Sequence, residues 1–200
     1  MRIILGSDLS FLLGHGYALT GIPKSEMKIG YVVTAAKGAR HQDFFENVKT
    51  KIRENGYPID EYDIEGKTKE EILAFFSDKN IIQIEGGNTF YLLKAIRNSG
   101  FEEALKEMLE QGKVYIGISA GAYVMCPTIE VSNWDESGKD RFGVTEFSAL
   151  NYVQFFVKAH YKDEIFEVVN EKEKSLSSSL YRLRDGQGLL IENNSIIEYV

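Results

Sequence analysis

The sequence predicts an α/β fold: a mostly parallel sheet with helices on both faces and an antiparallel edge at its C-terminal end. Three observations carry that reading. Short branched, apolar runs alternate with helix-period segments through the first 125 residues, as expected for strands buried on both faces and joined by helical crossovers. Glycines follow several of these runs, at Gly6, at Gly86-Gly87 and around Ser119 in Gly117-x-Ser119-x-Gly121, where a strand must turn sharply into a helix. Near the end, residues 188–191 and 195–199 form two further apolar runs joined through Glu192-Asn193-Asn194, good turn chemistry for a hairpin.

Taken in order, residues 1–5 and 27–34 read as the first two strands, with a loop and a short helix between them. Residues 39–55 have helical spacing, with Phe44, Phe45, Val48 and Ile52 on one face and Gly56 placed to stop the helix. A strand over 59–64 leads to Thr68 and Glu71, spaced as a capping box at the next helix start. Residues 80–85 are a strand, Gly86-Gly87-Asn88 a tight loop, and Thr89 begins a helix carrying Leu92, Leu93 and Ile96. An amphipathic helix over 101–111 precedes the strand 113–118. Beyond it, 128–132 and 153–158 read as short extended runs and 163–173 as helical.

The 200 residues are 44% hydrophobic with no linker-like stretch, so residues 1–200 read as one domain. A net charge of −7 and a pI near 5.1, with scattered Lys and Arg, disfavour a nucleic-acid partner or an anionic membrane surface. No apolar run reaches the roughly 18 residues of a membrane helix, and the start lacks a signal-peptide core. With Cys126 the single cysteine, no intramolecular disulfide is possible and a cytoplasmic setting is expected. No metal site or cofactor is implied: the histidines lack metal-binding motifs, and Cys126 reads as a small core residue.

The chemistry concentrates at Ser119. Val114, Ile116 and Ile118 lead into it as a buried strand, and Ala120, Gly121 and Ala122 are small enough for a helix to start close behind. That is the spacing of a nucleophile elbow, with the following backbone N–H aimed at a developing oxyanion. A serine needs a base, and of His15, His41 and His160 the last is best placed, ending the apolar run 153–159 at the carboxyl edge of the sheet. The acid that would orient its ring is assigned to Asp135, in the loop Asn133-Trp134-Asp135, with Glu130, Glu136 and Asp140 as nearby rivals.

The motifs Glu85-Gly86-Gly87-Asn88-Thr89-Phe90-x-Leu92-Leu93, Gly117-x-Ser119-Ala120-Gly121-Ala122, Asn133-Trp134-Asp135 and Ala159-His160-Tyr161 together resemble the peptidase E family of serine peptidases. That family includes α-aspartyl dipeptidases and, more distantly, cyanophycinases. The resemblance implies a fold like the class I glutamine amidotransferases, with serine replacing their elbow cysteine, and hydrolysis through an acyl-enzyme. It assigns Ser119 as nucleophile, His160 as base and Asp135 as acid; the backbone N–H groups of Ala120 and of Gly86-Gly87 are expected to hold the oxyanion. A small peptide is the expected substrate, on a monomer or homodimer. The chain departs from the family pattern at Glu85, where many members carry glycine, at Ser7-Asp8 and at Lys158-Ala159. Glu85 is therefore a candidate for binding a substrate ammonium, and specificity for an N-terminal aspartate is left open. An acyl esterase and a catalytically silent small-molecule-binding protein are the alternatives.

Overall fold

The computed structural model describes residues 1–40, 42–134, 141–193 and 195–200. Its strands are β1 (Arg2–Gly6), β2 (Ile29–Val32), β3 (Ile59–Tyr62), β4 (Ile81–Ile84), β5 (Val114–Ile118), β6 (Phe156–Lys158), β7 (Leu180–Arg182), β8 (Gly188–Glu192) and β9 (Ser195–Tyr199). The α-helices are α1 (Leu9–Phe11), α2 (Thr34–Lys37), α3 (Gln42–Glu54), α4 (Lys69–Phe76), α5 (Thr89–Arg97), α6 (Phe101–Glu110), α7 (Ala120–Tyr123) and α8 (Phe166–Glu173). Seven strands make one sheet in the order β3-β2-β4-β5-β1-β8-β9, parallel from β3 through β1 and antiparallel at β8 and β9.

Side-chain alternation on each strand builds two cores. Ile3, Leu5, Val32, Ile82, Ile84 and Tyr115 face one side with Ile72, Phe76, Leu93, Ile96, Phe101 and Leu105 from α4, α5 and α6. Ile4, Ile29, Tyr31, Ile81, Ile116 and Ile118 face the other, against Phe11, Leu12, Tyr17, Val48 and Ile52. A strand buried on both faces must be apolar at every position, which explains the continuous runs. The capping box is present: Thr68 accepts from the Glu71 N–H and Glu71 from the Thr68 N–H.

The parallel strands all end at one edge. Gly6 pairs with Ile118 across β1 and β5, and Ile84 with Gly117 across β4 and β5. The residues just past these ends, Ser7, Glu85 and Ser119, therefore emerge side by side.

The structure differs from expectation mainly after residue 125. Residues 130–133 form a 3-10 turn rather than a strand, β6 covers half of the extended run expected over 153–158, and β7 pairs with it in a separate parallel ribbon. The backbone of 149–153 bonds to carbonyls of 124–127, so local turns satisfy it without a ladder. Residues 163–165 are a 3-10 turn leading into α8. On α3, Phe45 is half-buried and Val48 buried as expected, but Phe44 is 60% exposed, because it borders the open cavity rather than the core.

A Cβ on Gly121 would stand 2.6 Å from the Ile84 carbonyl oxygen, and one on Gly117 would run into the Gly121 carbonyl. α7 can approach the sheet this closely only without those side chains. Gly121→Ala is expected to destabilise the fold by about 1–3 kcal/mol through overpacking against backbone, read as a lowered urea midpoint with unchanged slope.

Candidate active site

Ser119 sits where β5 breaks into α7, with φ 49° and ψ −101°. A non-glycine residue at positive φ is strained, of order 1–3 kcal/mol, and persists only where its surroundings over-determine it. They do so here. The Ser119 N–H donates to Gly6 O at 2.9 Å, and its carbonyl accepts from Ala122 N at 2.9 Å and Tyr123 N at 3.0 Å. Tyr115 reinforces the turn by donating its hydroxyl to Gly121 O at 2.7 Å. The result presents the Ser119 hydroxyl above the sheet edge.

His160 follows β6 and also has positive φ, 54°. Its N–H donates to Ser7 Oγ at 2.8 Å, fixing the residue to the end of β1. Its ring nitrogen Nε2 stands 3.2 Å from Ser119 Oγ, and Nδ1 stands 2.7 Å from Asp185 Oδ1. Sequence reading paired Ser119 with His160, and the structure brings them within hydrogen-bond reach. His15 is turned away, stacked at 6.4 Å on Phe11, and His41 lies outside the described residues.

The carboxylate at Nδ1 is one that sequence reasoning missed. Asp135, the expected acid, lies outside the described residues, as do its rivals Glu136 and Asp140. Asp185 comes from the turn between β7 and β8, and the loop after β1 holds it. Ser7 Oγ donates to Asp185 Oδ1 at 3.2 Å, Ser7 N–H donates to Gln187 O at 3.0 Å, and Asp8 Oδ1 accepts the Gly186 N–H at 2.8 Å. Asp8 also caps α1, accepting from Phe11 N and from Ser10 Oγ. These hydrogen bonds hold its carboxyl below the usual aspartate range although partial burial, the largest single influence, works the other way. The only signal for Asp185 in the sequence was Asp185-Gly186 between two apolar runs, which reads as turn chemistry.

The cavity beside Ser119 has a volume of about 630 Å³ and is lined by Ser119, His160, the 85–90 loop, the 7–9 loop, Phe44, Phe45 and Val48 of α3, Tyr123, Ser132, Arg40 and Lys158, among others. The loop after β4 supplies backbone amides. Gly86 N–H is taken by Glu85 Oε1 at 2.7 Å, whereas the N–H groups of Gly87 and Ala120 donate to no acceptor among the described residues. Gly87 has φ 137°, and a side chain there would strike the Ala35 carbonyl. Of the residues expected at an oxyanion site, Gly87 and Ala120 thus have amides to offer and Gly86 has its amide engaged. Lys158 is 2% exposed and donates to Ala159 O at 3.0 Å. Cys126 is buried in the core with its thiol pushed up to about 12 by desolvation, in keeping with a packing role.

Glu85 is 5% exposed. Burial pushes its carboxyl up to about 7, opposed in part by the Gly86 N–H.

These features agree with comparison to known proteins. The sequence profile of Peptidase family S51 matches residues 17–199. The chain belongs to peptidase family S51. This S51 chain is 28% identical over 172 residues to an uncharacterized peptidase of Listeria monocytogenes, covering 84% of each. It is 28% identical over 182 residues to the peptidase E of a Nostoc species, covering 86% of this chain and 72% of that one. The 1.5 Å crystal structure of a candidate peptidase E from Listeria monocytogenes superposes with a TM-score of 0.82 at 24% identity, covering 100% of this chain and 98% of that one. The fold is the peptidase E fold, class I glutamine amidotransferase-like, as the sequence resemblance implied, and the chain is a peptidase. No helix among the described residues is long and apolar enough to cross a membrane.

Because Glu85 binds its proton more tightly when folded, with a value near 7 against 4.5 ordinarily, the native state holds more protons than the unfolded chain between those values. Stability from this group is fully present below about pH 4.5 and falls as pH rises toward 7. The neutral variant Glu85→Gln escapes that loss. Urea denaturation at pH 5 and pH 8 is expected to show the variant gaining on wild type at the higher pH, by up to about 3 kcal/mol.

Proposed function

We propose that this S51 peptidase is a serine exopeptidase acting on short peptides through Ser119, His160 and Asp185. The observation that carries the reading is the continuous hydrogen-bond line from Asp185 Oδ1 to His160 Nδ1 and from His160 Nε2 to Ser119 Oγ, ending on a strained turn beside a cavity.

In the proposed reaction His160 Nε2 takes the Ser119 proton as Oγ attacks the scissile carbonyl carbon. Asp185 keeps the remaining ring proton on Nδ1 and favours the imidazolium. The carbonyl oxygen, now negative, accepts from the N–H groups of Ala120 and Gly87. His160 then gives its proton to the departing amine, leaving an ester on Ser119, and a water activated by the same ring releases the acid. Ser7 supports the cycle as a positioning residue, tying both the His160 backbone and the Asp185 carboxylate to β1.

A dipeptide carries an ammonium and at least one carboxylate, and a buried charge without a partner is costly. The cavity provides the complement: Glu85 as an acid, and Arg40 and Lys158 as cations. An N-terminal aspartate would place its side-chain carboxylate toward those cations. The large apolar lining from Leu9, Phe45, Val48, Phe90 and Ile118 suits uncharged side chains at least as well, so we propose that aspartate is accepted without being required.

The reading is tested by intact-mass measurement after a fluorophosphonate probe. One adduct on wild type, lost in Ser119→Ala and much slowed in His160→Ala, is expected; a folded wild type that takes no adduct would count decisively against an activated serine. The acid is tested by comparing Asp185→Asn with Asp135→Asn. Asp185 is 51% exposed and the His160 ring 46% exposed, so solvent screens part of the carboxylate's field. We expect Asp185→Asn to lower kcat on the order of a hundredfold, less than for a buried acid, and Asp135→Asn to change it by no more than a few-fold. The reverse ranking would return the role to Asp135.

A further inference from the structure

We propose that Glu85 is an ammonium-binding residue that anchors the free α-amino group of the substrate's first residue, confining the enzyme to peptides with an unblocked N-terminus. This rests on the serine-peptidase reading above and names the part of the substrate that reading leaves open.

Among the described residues, the buried side-chain atoms without a hydrogen-bond partner belong to Tyr31, Gln83, Glu85, Ser178 and Arg182. Of these residues Glu85 alone lines the cavity. Its Oε1 accepts from Gly86 N–H, while Oε2 has no partner. A carboxyl group buried with one oxygen unmatched costs stability, and a donor brought by a ligand removes that cost. Three donors on a compact cation suit the free oxygen, and a charge-assisted bond there is stronger than a neutral one.

Reach selects the α-ammonium over a longer cationic side chain. A Cβ at Gly86 would lie 3.5 Å from the Ser119 Cβ, and the Gly86 N–H is the group that the Glu85 carboxyl accepts from, so Glu85 is the chain neighbour of the residue packed against the nucleophile. In the acyl residue the α-nitrogen is two bonds from the attacked carbon, about 2.5 Å away, whereas a lysine ammonium stands several bonds further out. The ends of β4 and β5 are adjacent, Ile84 pairing with Gly117, and we take the short arm as the one matched to neighbouring strand ends. The carboxyl's value of about 7 leaves it ready to ionise when a cation arrives, and Tyr17, which feels the Glu85 charge, stays neutral because burial drives its hydroxyl far upward. The apolar lining beside the acid then receives the first side chain.

Binding measured without turnover separates this proposal from the peptidase reading. In Ser119→Ala protein, isothermal titration with Ala-Gly, Leu-Gly, Phe-Gly and Asp-Gly and with their N-acetyl counterparts is expected to show the free amines binding at least about tenfold more tightly. Adding Glu85→Gln should erase that preference. In the active enzyme the same substitution should raise KM for free dipeptides with little change in kcat. Equal affinity of free and acetylated ligands, a preference that survives Glu85→Gln, or no binding of any pair at about 10 mM would each overturn the proposal. A Ser119 that labels with fluorophosphonate while no amine preference exists would remove the ammonium site and leave the peptidase reading standing. A preference in protein that never labels would do the opposite.

Discussion

Everything at this site depends on one backbone turn. Ser119 is held at positive φ by a hydrogen bond to β1, by two amides of α7 and by glycines on either side that let α7 press on β4 and β5. These restraints come from the central sheet and from the helix packed on it, so the strain is balanced by a well-buried part of the fold. The serine is consequently not a loop residue that happens to be near a histidine. It is the point at which a strand buried at every position is forced to stop.

The second dependence is on the loop that ends β1. Ser7 and Asp8 hold His160 and the Asp185 turn, which arrive from segments 153 and more residues away in sequence. Hydrogen bonds to buried polar groups are modest in net energy but costly to leave unmade, and Ser7 is fully buried. The loop thus converts sheet register into alignment of the site: Gly6 pairs with Ile118, so Ser7 must stand beside Ser119, and whatever Ser7 holds is carried there with it. Having a serine and an aspartate at the end of β1, where the family pattern is richer in glycine, gives this chain side-chain donors and acceptors for that task.

This division also explains what could be read from the sequence. The strands through β5 and their helices were legible because burial on both faces leaves a continuous apolar signature, and the elbow was legible because Gly117 and Gly121 are demanded by close backbone approach. His160 was legible as the end of an apolar run. Asp185 was not, because its position follows from how the β7–β8 turn docks onto Asp8 and Ser7, a tertiary contact with no local pattern beyond Asp-Gly. The turns over 124–127 and 149–153 were opaque for a related reason: their backbone groups bond to one another across some 25 residues, satisfying polar groups without periodicity. Phe44 misled because helical spacing identifies a face of α3 but not which part of that face borders an open cavity.

Two acidic groups of the site, Asp185 and Glu85, sit in opposite dielectric settings, and that contrast bears on how the parts cooperate. Asp185 and His160 are about half-exposed, so water weakens the carboxylate's hold on the ring until something covers it. Glu85 is 5% exposed at the wall of the cavity, where a charge is expensive alone and strongly attractive to a partner. A peptide whose ammonium reaches Glu85 would lay its first residue across the cavity and exclude water from the rim where His160 stands. Binding at the buried acid would then strengthen the exposed His160–Asp185 pair by desolvating it. On that proposal recognition and activation would be one event, because Glu85 precedes Gly86, and Gly86 packs against Ser119.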